Sequence, residues 1–205
     1  MPQPISSTLD RIHAAARDEF LAKGYQAASL RNIVKTAGVT TGAFYGYYDS
    51  KEALFAALVD EPYRHVLETY RTAVFGFEAL RPEEQVTQMG QVGKTCMQEL
   101  LVYMDARRPV FRLILQGAEG TPYAGLIDEL VAMEVAATER YCEVLRSLGS
   151  AVPQIDPQLE HMLVTGMMNA YCEVILHDMP LADAQRYVEE LGNFYTAGWL
   201  KIMGQ

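Results

Sequence analysis

The sequence predicts an all-α fold, in which a three-helix helix-turn-helix head at the N-terminus precedes a larger helical body. Apolar residues recur at helical spacing along most of the 205 residues, and segments rich in Gly or Pro separate these stretches. The alternating pattern typical of strands does not occur. About nine helices are expected, with the head in residues 1–50 and the body in residues 51–205.

The head begins with one helix, which is predicted over residues 8–23. Its apolar positions repeat at helical spacing and are Leu9, Ile12, Ala16 and Phe20. Gly24 follows this stretch. A glycine placed just after a periodic stretch is a C-terminal signal, because it adopts the left-handed conformation without a Cβ penalty.

Two short helices joined by a tight turn come next. Ser29 is the predicted N-cap of a helix over Leu30–Thr36, and Thr40 is the predicted N-cap of a helix over residues 41–47. Between them, Gly38 supplies the backbone conformation that a tight turn requires. Two helices around such a turn form a helix-turn-helix, whose second helix enters the major groove of DNA.

A long helix is predicted from Lys51 towards Phe77. Asp49 and Glu52 stand at capping-box spacing at its start. Pro62 lies about three turns into this helix, and because proline lacks an N–H donor we expect a bend there.

The body is predicted to contain five further helices. Their boundaries fall at breaks rich in Gly or Pro, and their ranges are 83–103, 108–116, 123–148, 157–177 and 181–203. Half of all residues are hydrophobic, which is ample for a helical core.

Charge is distributed unevenly along the chain. Residues 1–50 carry five basic and four acidic side chains, whereas the rest carries 12 basic and 22 acidic ones, within a net charge of −9. DNA would therefore attract the head weakly and repel the body. A head this weakly basic predicts a shallow salt dependence of DNA binding. The overall acidity argues against non-specific coating of nucleic acid.

The head also resembles a known family. The matching residues are Gly24, Tyr25, Ile33, Ala37, Gly38, Val39, Thr40, Gly42, Tyr45, Tyr48, Lys51, Glu52, Ala53 and Leu54. They make the segment similar to the DNA-binding head of the tetracycline repressor (TetR) family of bacterial transcription regulators. The resemblance implies a homodimer that binds a near-palindromic double-stranded DNA operator and leaves it when a small-molecule effector binds. Activation by the effector is the open alternative.

The candidate DNA contacts cluster around the second helix of the motif. They are Ser29, Thr40, Thr41, Ala43, Tyr45 and Lys51. Thr41 can hydrogen-bond bases or phosphates, and the Ala43 methyl group can contact a thymine methyl group. Tyr45 and Lys51 suit phosphate contacts. The family resemblance implies contacts at positions 40, 41, 45 and 51.

Two positions depart from the pattern of the family. Position 41 is often basic in relatives and position 46 often carries a polar ring, whereas this chain has Thr41 and Gly46. We therefore expect an operator sequence specific to this chain and weaker phosphate contacts. Phe44 and Tyr48, in the same segment, are expected to be core residues.

Dimerisation is predicted through the last two helices, because one short recognition helix gives little specific contact and paired half-sites supply more. A helix pair from each subunit would form a four-helix interface, and small residues four apart would allow close crossing. The candidate interface residues are Met162, Gly166, Ala170, Tyr171, Leu191, Tyr195 and Gly198. The alternative is that both stripes pack only within one subunit.

An effector pocket is predicted among the middle helices. Ten methionines and 12 tyrosines suit a cavity that is apolar, deformable and supplied with hydroxyl groups. The candidate lining residues are Met97, Tyr103, Met104, Phe111, Gln116, Met133, Tyr141 and Met167. In the alternative interpretation each of them is a plain core residue. The acidic excess of the body favours a neutral or cationic effector.

Signatures of catalysis and metal binding are missing from the sequence. It has no phosphate-binding lysine loop, dinucleotide fingerprint or nucleophile elbow, so we expect no enzyme, no catalytic residue, no cofactor and no metal site. Glu61 with His65, and Glu173 with His177, favour ion pairs over cation sites. Three separated cysteines, no signal peptide and no apolar run of 18 residues predict a cytoplasmic protein with no membrane partner.

A competing interpretation assigns the same fold to a protein that does not bind DNA specifically. A helical small-molecule sensor or protein-interaction module with a degenerate helix-turn-helix would share the near-neutral head, Thr41 and Gly46. Sequence-dependent DNA binding discriminates between the two interpretations.

Overall fold

The structure is a computed structural model that describes residues 7–205, and within that range it is helical, with no strand. Its α-helices are α1 (Thr8–Ala27), α2 (Leu30–Thr36), α3 (Thr41–Tyr45), α4 (Lys51–Glu78), α5 (Pro82–Gln88), α6 (Gln91–Asp105), α7 (Arg108–Arg112), α8 (Leu126–Ser147), α9 (Pro157–Leu176) and α10 (Leu181–Ile202). A π-helical turn, Leu113–Gly117, follows α7, and a 3₁₀ turn, Pro122–Gly125, precedes α8. The prediction of an all-α fold is confirmed.

Hydroxyl side chains cap the two helices of the helix-turn-helix, as predicted. The Ser29 Oγ accepts a hydrogen bond from the Asn32 N–H at 3.4 Å, and the Thr40 Oγ1 accepts one from the Ala43 N–H at 3.1 Å. Each bond satisfies a backbone donor that the first turn of a helix leaves without a partner. Between the two helices Gly38 has a φ of 64°, which is the left-handed conformation expected of the turn.

Three details of the head differ from the prediction. Ser50, rather than Asp49, caps α4, because its Oγ accepts the Ala53 N–H at 3.1 Å. Gly24 interrupts the helical backbone of α1 with a φ of 71°, but one further turn follows it. α3 ends two residues early, before Gly46, which agrees with the low helix propensity of glycine.

The body has one more helix than the sequence predicted. The helix expected over residues 83–103 divides into α5 and α6, because Gly90 adopts a left-handed φ of 79° between them. The one expected over residues 108–116 is α7 followed by the π-helical turn, and α8 begins at Leu126 after the 3₁₀ turn. α4 continues without a break past Pro62.

The chain divides into two compact units, and the first comprises Met1–Arg64 and Arg107–Gly125. Its core holds the rings of Phe20, Tyr25 and Phe55, with Phe55 meeting Phe20 at 5.0 Å and Tyr25 at 5.1 Å between centroids. The first half of α4 and residues 107–125 therefore pack with the head helices, beyond the predicted boundary after residue 50. The assignment of residues 1–50 as a DNA-binding domain stays a prediction.

The second unit comprises His65–Ala106 and Leu126–Gln205. In it α8 packs on α9 and α6 packs on α10, around fully buried side chains such as Leu100, Leu145 and Met168. Cys96, Cys142 and Cys172 are buried free thiols. Across residues 7–205, none of the helices has the length and apolar character needed to cross a membrane.

Candidate functional site

The α3 helix is anchored to the head by a single side chain. Phe44 is 0% exposed and is the only buried residue of this five-residue helix. Its ring packs against Tyr45 at 5.4 Å and Tyr48 at 6.0 Å between centroids. The prediction that Phe44 is a core residue is confirmed.

The remaining side chains of α3 point to solvent. Thr41 and Ala43 are exposed, and Tyr45 and the following Tyr47 are 52% and 50% exposed. A short helix with one buried anchor and an open face of threonine, alanine and tyrosine has the form of a recognition helix that enters a DNA groove. The hydroxyl of Thr40 remains at the exposed start of this face, although it accepts the capping bond.

The end of α3 is held by a contact between Tyr48 and His13. The Tyr48 hydroxyl and the His13 Nε2 share a hydrogen bond of 2.5 Å, and the two rings lie 5.8 Å apart. Burial raises the pKa of the Tyr48 hydroxyl and lowers the pKa of His13. The contact therefore favours two neutral groups and joins α1 to the segment that follows α3.

Lys51 lies where its charge stabilises the end of α1. Its Nζ donates to the carbonyl oxygens of Tyr25, Gln26 and Ala28 at 2.8, 3.4 and 3.2 Å, and lies 4.4 Å from the centre of the Tyr25 ring. A cation at a helix C-terminus is favourable, because the last carbonyl groups have no helical partner. An ammonium has three N–H donors, so the structure gives each donor a protein acceptor.

Glu52 is bound next to this cation. The Tyr25 hydroxyl donates to the Glu52 Oε1 at 2.5 Å, and this bond, with those from its own backbone N–H and the Ser50 hydroxyl, lowers the pKa of Glu52 to about 2. Burial, followed by the same bond to Glu52, raises the pKa of Tyr25 to about 12. The start of α4 is thus tied to α1 by an ionised carboxylate and a neutral phenol.

Ser29 takes part in a second small network in the head. Its N–H donates to the Glu19 Oε1 at 3.0 Å, and the same oxygen accepts from the Lys23 Nζ at 2.8 Å. Arg31 and Lys35 are exposed on the adjoining α2. Arg31 and Lys35 are therefore the exposed cations nearest to α3 in the sequence.

The predicted dimer residues fall into two groups in the second unit. Met162, Gly166 and Gly198 are exposed, with 69% of Met162 open to solvent, while Ala170 and Leu191 are half-buried. Tyr171 and Tyr195 instead line an internal cavity. Phe194, which the sequence analysis missed, is 69% exposed. Its position next to the predicted stripe on α10 was the signal that could have found it.

That cavity lies in the second unit and has a volume of about 150 Å³. Its aromatic walls are Tyr70, Phe77, Tyr141, Tyr171, Tyr195 and Trp199. Three of the predicted pocket residues line it, namely Met97, Tyr141 and Met167. Cys96 also lines it, and burial raises the pKa of this thiol to about 12, so it stays protonated.

The other five predicted pocket residues lie away from this cavity. Tyr103 stacks on the His65 ring at 3.8 Å between centroids, and Met104 is buried elsewhere on α6. Met133 is half-buried on α8 but does not line the cavity. Phe111 and Gln116 belong to the first unit. Sequence spacing placed all five on helices but could not show which unit Phe111 and Gln116 join, or which face of its helix each of the other three occupies.

A carboxyl group missed by the sequence analysis lies in the cavity wall. Glu134, on α8, accepts a hydrogen bond from the Tyr70 hydroxyl at 2.5 Å through its Oε2. Burial raises the pKa of Glu134 and, together with the charge of Glu134, that of Tyr70. No sequence signal identifies this pair, because its members are 64 positions apart.

Metal binding gains no support from the described residues. In the part of the chain from residue 7 onward, no group of three or more His, Cys, Asp or Glu side chains could hold a metal ion. The predicted ion pair between His177 Nε2 and Glu173 Oε2 is present at 2.7 Å, in an exposed position.

Comparisons with known proteins agree with this geometry. Residues 12–58, which include α2 and α3, match the sequence profile described as "Bacterial regulatory proteins, tetR family". The chain is similar to the HTH-type transcriptional regulator YvdT of Bacillus subtilis strain 168, with 36% identity over 78 residues, 38% of this chain and 40% of the relative. It is also similar to the A-factor receptor protein of Streptomyces griseus, with 27% identity over 179 residues, 86% of this chain and 58% of the relative. The matches therefore span less than two thirds of either relative.

Solved structures resemble the chain over most of its length. The fatty acid degradation regulator FadR of Bacillus halodurans has a TM-score of 0.57 at 18% identity, covering 96% of this chain and 98% of its own. A tetR-family regulatory protein of Rhodococcus RHA1 has a TM-score of 0.57 at 22% identity, covering 92% and 96%. These likenesses show the fold. Residues 12–58 therefore match the tetR family of bacterial regulatory proteins, and the rest of the chain shares the fold of the solved structures.

Proposed function

We propose that this chain is a cytoplasmic DNA-binding transcriptional regulator, with residues 1–50 as its DNA-binding domain and residues 51–205 as its effector-binding and dimerisation domain. The observation that carries the proposal is α3, a short helix fixed by the buried Phe44 and open along Thr41, Ala43 and Tyr45, within the segment that matches the family profile. A homodimer would place two such helices in successive major grooves of a near-palindromic operator. A small molecule bound in the second unit would release the operator.

The first test is selection of binding sites from random double-stranded DNA with the full chain. Enrichment of a two-fold symmetric sequence, bound with salt-dependent affinity, is the expected result. A shallow salt dependence is expected, because Lys51 is committed to backbone carbonyls and few other cations adjoin α3. Failure to enrich any sequence would contradict the regulator proposal.

Two substitutions on the open face of α3 should weaken binding to the selected DNA. We expect Thr41→Ala and Tyr45→Phe each to lower affinity by about tenfold, because each removes one hydroxyl donor from both subunits of a dimer. Fluorescence anisotropy with labelled DNA measures the change. Tyr187→Phe, an equally conservative change at an exposed tyrosine of α10, is the matched control. If all three variants bound the selected DNA with equal affinity, Thr41 and Tyr45 would not contact DNA.

Dimerisation is proposed through α9 and α10, which approach each other where Gly166 faces the Tyr195 hydroxyl. Phe194→Glu should yield a monomer, because a charge on an isologous surface meets its own copy across the two-fold axis. Sedimentation velocity measures the oligomeric state. Phe75→Glu, at an aromatic residue on α4 that is 58% exposed, is the matched control and should remain a dimer. If both variants remain dimeric, the interface lies elsewhere.

One observation favours the alternative of a sensor or interaction module with a degenerate head. Lys51, which family members use to touch DNA at the matching position, donates here to three carbonyl oxygens. The selection experiment decides between the two functions. A chain that binds small molecules but enriches no DNA sequence would have the alternative function.

A further inference from the structure

The cavity of the second unit contains one acidic side chain, and one of its two carboxyl oxygens accepts a hydrogen bond from the protein. Among the residues that line it, Glu134 is the only acid, and its Oε2 accepts the Tyr70 hydroxyl. This bond leaves the other carboxyl oxygen, Oε1, available to a molecule in the cavity. The Glu134 side chain is half-buried, so its carboxyl group is less well hydrated than one at the surface, and a further donor would be favoured there.

No cation of the described chain balances this carboxyl group. Lys94 is the only basic residue in the cavity wall. Its Nζ donates to the Asn193 Oδ1 at 3.0 Å and lies 3.8 Å from the Glu189 Oε1, so its charge is balanced by α10. A cation that pairs with Glu134 would therefore have to come from a ligand.

A second buried carboxyl group lies in the same unit. Glu160, on α9, is 5% exposed, and its Oε1 has no hydrogen-bond partner among the described residues. Burial first, and then the charges of Glu139 and Glu134, raise the pKa of Glu160. Glu160 does not line the cavity, but a cation in this unit would stabilise the ionised form of both acids, whereas an anion would be repelled by it.

The aromatic walls suit the same guest. Tyr70, Phe77, Tyr141, Tyr171, Tyr195 and Trp199 present six rings to a space of about 150 Å³. The faces of such rings attract a cation, and the attraction grows when water is excluded. Burial raises the pKa of Tyr171 to about 12, so this hydroxyl remains neutral.

The volume of the cavity, about 150 Å³, suits a small guest. A cavity of about this volume in another protein admits benzene. We propose that the cavity binds a compact organic cation, a protonated amine carried by an apolar group about the size of one aromatic ring, with the amine donating to Glu134 Oε1. The proposal rests on the proposed function, in which an effector occupies the second unit, and it names the chemical class of that effector.

The test is calorimetric titration of the full chain, without DNA, with three probes of similar size. They are benzylamine, which is protonated at neutral pH, benzyl alcohol, which is neutral, and benzoate, which is an anion. We expect benzylamine to bind about tenfold or more tightly than benzyl alcohol, as a charge-assisted hydrogen bond and cation–π contacts imply. Benzoate is expected to bind most weakly.

Variants of two acids on α8 test the assignment of Glu134. Glu134→Gln should remove the preference for benzylamine over benzyl alcohol. Glu139→Gln, which removes the same charge from an exposed position outside the cavity wall, should keep it. Equal binding of the amine and the alcohol, tighter binding of benzoate, no binding of any probe, or an amine preference that survives Glu134→Gln would each overturn the proposal. Because no DNA is present, such a failure is separate from failure of the operator selection.

Discussion

Replacing Phe44 with alanine is expected to lower the free energy of unfolding by about 3–5 kcal/mol, the usual cost of truncating a buried phenylalanine. Phe44 is 0% exposed and is the only buried side chain of α3. Its loss would leave α3 attached to the head only by the flanking chain and the Tyr48–His13 contact that follows the helix, since a five-residue helix has no stability of its own. Urea denaturation followed by circular dichroism measures the change, and loss of DNA binding should accompany it.

The neighbouring residue provides the control for this prediction. Tyr45→Ala removes an aromatic ring of similar size, but one that is 52% exposed. Its free energy of unfolding should therefore stay within about 0.5 kcal/mol of the unmodified chain. If Phe44→Ala were no less stable than Tyr45→Ala, the anchoring role of Phe44 would be incorrect.

Replacing Lys51 with methionine should lower the free energy of unfolding by about 2 kcal/mol, since hydrogen bonds from a charged donor contribute about 1.5–3 kcal/mol. The change removes the donor to the carbonyls of Tyr25, Gln26 and Ala28 while keeping an unbranched apolar stem of similar length. The end of α1 would lose the cation that satisfies its last carbonyl groups. Urea denaturation measures the loss.

Lys35→Met is the matched control, because Lys35 is an exposed cation in the last turn of α2. We expect it to change stability by less than about 0.5 kcal/mol. DNA binding then separates the two roles of Lys51. If Lys51 contacts DNA phosphate, Lys51→Met should lower the affinity for DNA and leave the free energy of unfolding unchanged. If Lys51 instead binds the α1 carbonyls, the same change should lower the free energy of unfolding. Equal stability of the two variants would contradict the second role.

Local chemistry made much of the head predictable from the sequence. The caps at Ser29 and Thr40, and the turn at Gly38, depend on groups within three residues of each other, so their spacing is visible in the chain. The buried position of Phe44 follows from the pattern of one short helix. The start of α4 was less certain, because Asp49 and Ser50 are both good caps and only the backbone shows which one is used.

Non-local packing limited the prediction of the cavity. Met97, Tyr141 and Met167 were found because methionine and tyrosine on middle helices suit a pocket. The pairing of Tyr70 with Glu134 could not be found, since it depends on how the second half of α4 meets α8. For the same reason the sequence could not show that Phe111 packs in the first unit.

Two glycines, Gly90 and Gly192, influence the size of the cavity. A Cβ at Gly90 would meet the side chain of Thr196, and a Cβ at Gly192 would lie 2.5 Å from the Lys94 Cγ, so α6 and α10 approach each other closely near the start of α6. Both glycines line the cavity. A methyl group at either position would require the side chain of Thr196 or Lys94 to move, or the two helices to separate, and either change alters the space between them. We therefore expect alanine at position 90 or 192 to change the volume of the cavity and the size of the molecules that it admits.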